Sequence, residues 1–231
     1  SVEKMVGGLV DRVVRHNDAR DGYAKGVEAS NGELIAFLDD DDEFITGKLD
    51  YVVGVFDKDK SLGFYHHNVE FIDEQGNVLD EVPEYWRTKV FNERVYARTL
   101  EEKERLVEYL ITKVREVRDD LRDPFYWLGF NSSSIVVRRN LVVNYLDVLG
   151  RMYVAVDNLH FVEALLSDYA VLHEPIPLTY YRLHGDKASF GGAEKGMKQW
   201  NDMQVLNEVI RGTWLEKYID LKATEIYQFS T

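Results

Sequence analysis

The chain alternates apolar runs of two kinds, and their spacing predicts an ordered set of strands and helices. Residues 1–10 read as the tail of a helix loosened by Gly7-Gly8, and Val10–His16 is a short β-branched run that predicts a strand. Residues 21–31 have helical character, stopped by Asn31-Gly32. Leu34–Leu38 is a continuous apolar run that predicts a buried strand, and Lys48–Phe56 spaces its apolar residues as a helix does. Strand, helix, strand, helix over the first 60 residues is the pattern of a parallel sheet covered by helices.

Leu62–Ile72 and a short strand near Val78, joined through Glu74-Gln75-Gly76-Asn77, predict a hairpin. The segment 98–122 then changes character. Thr99 and Glu102 have the spacing of a capping box, and Val107, Leu110, Val114, Val117 and Leu121 form one apolar stripe on a charged helix closed by Pro124. Packing on the chain's own core is the first expectation for that stripe. Self-association of two copies or contact with a membrane surface are the other uses for it. Further on come a strand within 125–140, a helix over Leu141–Leu149, a helix over Asp157–Leu166, an extended "AVLHEPIPLTYYRLH", and from Ala193 a helix carrying Met197, Trp200, Met203, Leu206, Val209 and Ile210. The sequence contains no internal repeat.

Composition narrows the function. The 231 residues contain no cysteine, which removes thiolate nucleophiles, thiolate metal sites and disulfides. With 28 basic and 41 acidic residues the net charge is −13, which argues against a nucleic-acid partner. An anionic small molecule would need local compensation, and a divalent cation is the simplest source of it. No apolar run reaches the roughly 18 residues of a transmembrane segment. The start "SVEKMVGGLV" is too short and polar for a signal peptide. The expectation is a cytoplasmic protein, peripheral to a membrane at most.

The abrupt step from Leu34–Leu38 into Asp39-Asp40-Asp41-Asp42 carries the chemistry. In an extended segment Asp39 and Asp41 would share one side and Asp40 and Asp42 the other. Carboxylates this close repel unless a cation lies between them, and hard oxygen donors suit Mg²⁺ or Mn²⁺. Ligands of open α/β sheets bind beyond the carboxyl ends of strands, where this run lies. A solvated acidic loop is the plainer alternative, and a calcium-binding EF-hand fails because Phe44 stands where its glycine would.

"GVEASNGELIAFLDDDDEFITGKL" resembles the core of the family 2 inverting glycosyltransferases of the GT-A fold. The likeness rests on Gly26, Ala29 to Gly32, the strand, Asp39–Asp42 and Lys48-Leu49. "VAVDNLHFVEALLSDYAVLHEPIPLTYY" is similar to that family's catalytic stretch, and Tyr181, Arg182, His184 and Ser189 to its closing motif. The resemblance covers about residues 10 to 190. It implies a Rossmann-like α/β domain over 1–190, a mostly parallel sheet with flanking helices, a helical insertion at 98–122 and a C-terminal helical region over 191–231. It also implies metal-dependent transfer, with inversion, from a nucleotide-sugar (a UDP-sugar first, or a GDP-sugar) to a hydroxyl of a carbohydrate or lipid-linked acceptor. By the same likeness Asp39, Asp41 and His184 would bind Mg²⁺ or Mn²⁺, and Asp40 and Lys25 would lie toward the sugar-nucleotide. Asp157 would be the general base.

Asp157 also stands where a helix N-cap would, and a cap is its plainer role. The family's usual first strand, base-contacting loop and Asp-Gly-Ser strand do not precede Val10, so the sequence reads as part of a longer chain or as a version without that segment. Gly22-Tyr23-Ala24 replaces the family's common Ala-Arg-Asn, and Val156 its common Glu before the aspartate. A glycosyltransferase-like module that binds without catalysis is the alternative function. A nucleotidyltransferase would call for a basic glycine-rich loop near the start. His66 and His67 adjoin on a strand and are expected to be structural, while Trp127 could stack on a sugar ring or belong to the core.

Overall fold

In the computed structural model, residues 21–119, 123–184 and 193–219 are described. The expected helix tail at 1–10, the strand Val10–His16, Leu121 and Ser189 lie outside them. Fourteen helices and strands are arranged in order among the described residues: α1 (Asp21–Ala29), β1 (Leu34–Ala36), β2 (Glu43–Phe44), α2 (Lys48–Lys58), β3 (Leu62–Ile72), α3 (Glu84–Arg87), β4 (Val95–Ala97), α4 (Leu100–Val117), β5 (Ile135–Arg138), α5 (Arg139–Val142), α6 (Leu146–Leu149), α7 (Val156–Leu166), β6 (Ala170–Arg182) and α8 (Ala193–Ile210).

The six strands form one mixed sheet in the order β1-β5-β3-β6-β2, with β4 also paired to β6. β3 and β6 run parallel over their length, from Leu62↔Ala170 to Ile72↔Arg182. β5 is antiparallel to both β1 and β3, so β1, β3 and β6 all point the same way. The far edge of β6 takes β4 along its first half (Tyr96↔Leu172) and β2 along its second (Glu43↔Tyr180), both antiparallel.

β3 is central because its sequence tolerates burial on both faces: every residue of it except Glu70 is buried. Successive side chains serve opposite layers. Phe64 joins a large core with Leu110, Val114, Ile135, Phe161, Leu165 and Leu206, while Tyr65 joins Val52, Phe56, Leu62, Val136 and Leu172 under α2. Gly63 is required there, since a Cβ would stand 2.3 Å from Cβ of Tyr169. The expected hairpin is present as a bridge between Ile72 and Val78, with Gly76 at φ 87° in its turn.

The capping box of α4 forms as its spacing predicts. Thr99 Oγ1 accepts from the Glu102 N–H at 3.2 Å, and Glu102 Oε2 accepts from the Thr99 N–H at 2.8 Å. Its apolar stripe is taken up by the chain's own core through Leu106, Val107, Leu110 and Val114. Val117, expected in the stripe, is instead 45% exposed at the helix end. Lys103 is buried in its place and donates from Nζ to the Ala164 (2.9 Å) and Ser167 (2.5 Å) carbonyls, satisfying the C-terminal end of α7. The single helix expected over Leu141–Leu149 is broken into α5, a 3₁₀ turn and α6. Val142, Val143 and Asn144 are weak helix formers, and Tyr145 turns away from helical geometry at ψ 19°.

Candidate active site

The acidic run does not continue β1 as an extended segment. The strand ends at Ala36, and the chain turns, with the Asp42 N–H donating to the Asp39 carbonyl at 3.3 Å. The expected alternation of side chains therefore fails, and the four aspartates go to four destinations. Asp39 Oδ1 accepts from Tyr23 Oη at 2.7 Å, and its N–H donates to Ser133 Oγ at 3.0 Å. Asp40 is exposed at the turn. Asp41 Oδ2 meets His184 Nε2 at 2.9 Å. Asp42 is buried, accepting from Asn131 Nδ2 (2.8 Å) and from the Arg182 N–H (3.1 Å).

Two cations shape this loop from behind. Lys48, 1% exposed, donates from Nζ to the Ser133 carbonyl at 2.6 Å and to Thr179 Oγ1 at 2.9 Å, and lies 3.7 Å over the Phe44 ring. Burial lowers its pKa to about 7, against the pull of the Asp42 carboxylate. Ser133 is thus held through its carbonyl by Lys48 while its hydroxyl fixes the backbone of Asp39. Arg182 donates to the carbonyls of Asp41 (2.9 Å) and Asp73 (2.9 Å) and pairs with Glu43. Sequence reading singles out Lys48 and Arg182 only as parts of motifs. Their function here depends on contacts 85 and 141 residues away along the chain.

Asp157 lies in the first turn of α7, and Ala155 occupies the N-cap position. The segment that enters α7 is held by Asp202 of α8. Its fully buried carboxylate accepts from the N–H groups of Tyr153 (2.9 Å), Val154 (2.7 Å) and Ala155 (2.9 Å). Asp157 is half-buried and accepts from the Asn158 N–H at 2.9 Å. Burial, reinforced by the nearby Asp39 carboxylate, pushes its pKa up to about 8, while the Asn158 N–H and the Lys89 ammonium pull the other way. The Tyr23 hydroxyl is raised by burial and by Asp39, and the charge of Asp157 reaches it as well. The candidate base, Tyr23 and Asp39 therefore share one electrostatic neighbourhood.

Lys25 sits on α1 two residues after Tyr23, a rotation of roughly 200° around the helix, and Tyr23 reaches the acidic loop through Asp39. His66 is buried against His173, Nδ1 to Nδ1 at 2.8 Å, with the two Nε2 atoms on the carbonyls of Phe130 and Phe91. His67 is buried as well, with Nδ1 2.7 Å from the Asn68 carbonyl. Trp127 belongs to the core: it is 5% exposed, stacks on Phe91 at 4.7 Å and donates to the Thr88 carbonyl at 2.8 Å.

For a divalent ion, the fit rests on Asp41 and His184. Their donor atoms meet at one point, and a carboxylate with an imidazole is a donor set that accepts Mn²⁺. Among the described residues, no group of three or more His, Cys, Asp or Glu side chains converges on a metal-sized centre. Asp39 is turned to Tyr23 instead.

A mixed, helix-flanked sheet with an acidic loop beyond β1 defines a GT-A-like α/β protein. Residues 11–109 match the sequence model of the family described as glycosyl transferase family 2. The match supports glycosyl transfer as the activity class. It includes Lys25 and Asp39–Asp42 and stops short of Asp157 and His184. No curated protein matches the chain. No helix among the described residues is long and apolar enough to cross a membrane.

Proposed function

We propose that the protein transfers a sugar, with inversion, from a UDP- or GDP-sugar to a hydroxyl acceptor, with Asp157 as general base and Asp41 and His184 holding Mg²⁺ or Mn²⁺. The observation that supports this reading is the nearness of Asp157 to the acidic loop, close enough for the Asp39 carboxylate to act on it. In the step itself, Asp157 takes the acceptor's hydroxyl proton while that oxygen bonds to the anomeric carbon. The bond from that carbon to the diphosphate breaks, and its electron pair leaves with the nucleoside diphosphate. A divalent ion, when bound, would offset the charge that gathers on the departing phosphates. By the family likeness Asp39 would join the ion's ligands once Tyr23 released it, and exposed Asp40 would face the donor. A carboxyl group with a pKa near neutrality suits a base that must take and return a proton in each turnover.

The test is Asp157→Asn. Because asparagine keeps an Oδ1 that can accept from the Asn158 N–H, and Asp202 holds the segment before α7, the variant should fold and bind UDP with Mn²⁺ as the wild type does. Turnover against a panel of UDP- and GDP-sugars should fall by about a hundredfold or more. Activity within a few-fold of wild type would remove Asp157 from the chemistry. Donor binding without transfer by the wild type would favour a binding module.

A further inference from the structure

A second polar cluster, which the transfer step leaves unused, lies beside Asp157. Lys89 comes just after the short helix α3, and its Nζ stands 3.7 Å from the centre of the Tyr126 ring, 5.4 Å from Phe130 and 5.5 Å from Tyr85. Among the described residues it meets ring faces only, and no hydrogen-bond acceptor reaches it. An ammonium has three N–H donors, and here they are left for water or a ligand. Burial draws its pKa down to about 8, so it is still largely cationic at neutral pH. The charges that face it are Asp123 and Asp157, which favour the cation, and Arg118, which opposes it.

The aromatic surroundings of this ammonium are fixed. Tyr126 Oη is bonded to Thr88 Oγ1 at 2.6 Å, and that hydroxyl also donates to the Tyr85 carbonyl at 2.6 Å. Tyr85 packs edge-on against Trp86 yet is 52% exposed, so one aromatic surface remains open beside the ammonium. Gly129 holds α7 against this wall. A Cβ there would stand 2.3 Å from Asn158 Oδ1 and 2.9 Å from the Phe125 carbonyl oxygen, so glycine eases the approach of the turn carrying Asp157 to the segment carrying Tyr126 and Phe130.

We propose that this surface is an acceptor subsite, in which a saccharide packs on Tyr85 and its anionic substituent, a carboxylate or a phosphate, bonds to Lys89. An ammonium gains most from an anionic oxygen, because a charge-assisted hydrogen bond is roughly twice as strong as a neutral one. A chain of net charge −13 repels anions at long range, so taking one up needs a dedicated cation at the point of contact. The proposal rests on Asp157 being the base only for calling the saccharide an acceptor.

Calorimetry with glucose, glucuronate and glucose 6-phosphate tests it on the whole protein. We expect one or both anions to bind roughly tenfold more tightly than glucose, the gain of one charge-assisted hydrogen bond. Preference for glucuronate would identify a carboxylate, and preference for the sugar phosphate a phosphate. Lys89→Met, which keeps the length and the ring contacts, should abolish the preference, and Lys89→Arg should keep it. Should Lys89→Met fail to fold by its melting curve, the wild-type preference must shrink between 20 and 500 mM salt, as screening requires of a partly exposed pair. Equal binding of all three sugars, no binding of any, or a preference that survives Lys89→Met or is indifferent to salt overturns the proposal. UDP with Mn²⁺, titrated separately, reports the donor site. Its failure beside intact anion binding would count against glycosyl transfer and leave the subsite standing.

Discussion

Removing the Asp202 carboxylate tests how the candidate base is held. Asp202 is fully buried, and its two oxygens receive three backbone N–H groups, of Tyr153, Val154 and Ala155, at 2.7–3.0 Å. Hydrogen bonds to a charged group contribute about 1.5–3 kcal/mol each, and a buried donor left without a partner costs about 1–3 kcal/mol. Three such donors cannot all be re-satisfied by water in a site that is closed around them. Asp202→Ala should therefore cost about 4 kcal/mol. Asp202→Asn keeps one oxygen, which can serve Val154 and Ala155, but it sets an N–H against a neighbouring N–H and loses the charge, for about 2 kcal/mol. Urea unfolding at neutral pH measures both, and hydrogen exchange should show the amides of 153–158 opening first in either variant. A loss below about 1 kcal/mol for Asp202→Ala would mean that the carboxylate does not hold this turn. The same variant should lower turnover more than UDP affinity, because Asp157 is two residues beyond Ala155 while the acidic loop is anchored elsewhere.

Other outcomes rest on the same contacts. UDP binding by calorimetry should require Mn²⁺ or Mg²⁺ and disappear in Asp41→Ala, and equal binding in the presence of a chelator would refute the ion site. Val114→Asp places a charge at a position with no exposure and should cost about 4 kcal/mol, whereas Val117→Asp at the exposed end of α4 should stay within about 0.5 kcal/mol; equal effects would refute the packing of that helix. Burial depresses the pKa of His173 to about 4 and that of His66 well below its ordinary value, so the folded pair takes up at most one proton where the unfolded chain takes two. The unfolded state then binds more protons below the usual histidine pKa, and stability should fall as pH drops from about 6.5 toward 4, by up to about 1.4 kcal/mol per unit for each missing proton. His173→Gln can still donate to the Phe91 carbonyl and should flatten that slope; an unchanged slope would show that the pair is not its source.

The sequence is legible where the structure is local. Thr99 and Glu102 are three residues apart and need nothing else to form their box. β3 and α7 are recognisable because apolar residues recur through a strand-length and a helix-length segment, although polar His66, His67, Asn68, His160 and Glu163 are buried among them. The Asp39–Asp42 run is different. Strand alternation assigns its side-chain directions, but the strand stops at Ala36, and the geometry beyond it is set by partners distant in sequence, among them Tyr23, Asn131, Ser133 and Arg182. The entry to α7 is set from a distance for a related reason. Asp157 accepts from the neighbouring Asn158 N–H, a local contact, yet the carboxylate that holds residues 153–155 comes from Asp202, 47 residues beyond Ala155. Lys89 gives no signal at all, since a lysine between a threonine and a valine is ordinary until Tyr85, Tyr126 and Phe130 close around it.

Four consecutive carboxylates would repel one another if they were presented together, and the structure avoids this by directing them to different partners. Asp42 turns inward, where Asn131 Nδ2 and the Arg182 N–H replace its water. The Arg182 guanidinium meanwhile grips the Asp41 carbonyl, and the chain from Arg182 to His184 is then two residues long. That short span delivers the His184 imidazole to Asp41, so the end of β6 both fixes the acidic loop and supplies its second donor. The antiparallel pairing of β2 with β6 enforces the same closeness from the other side of the turn, Glu43 lying opposite Tyr180. Neutralising the inner aspartate should therefore loosen the Asp41–His184 pair without touching either residue, because Asp42 and Arg182 hold the two strands in register. The acidic run works as one unit with β6: its buried member sets the geometry that its outer members use.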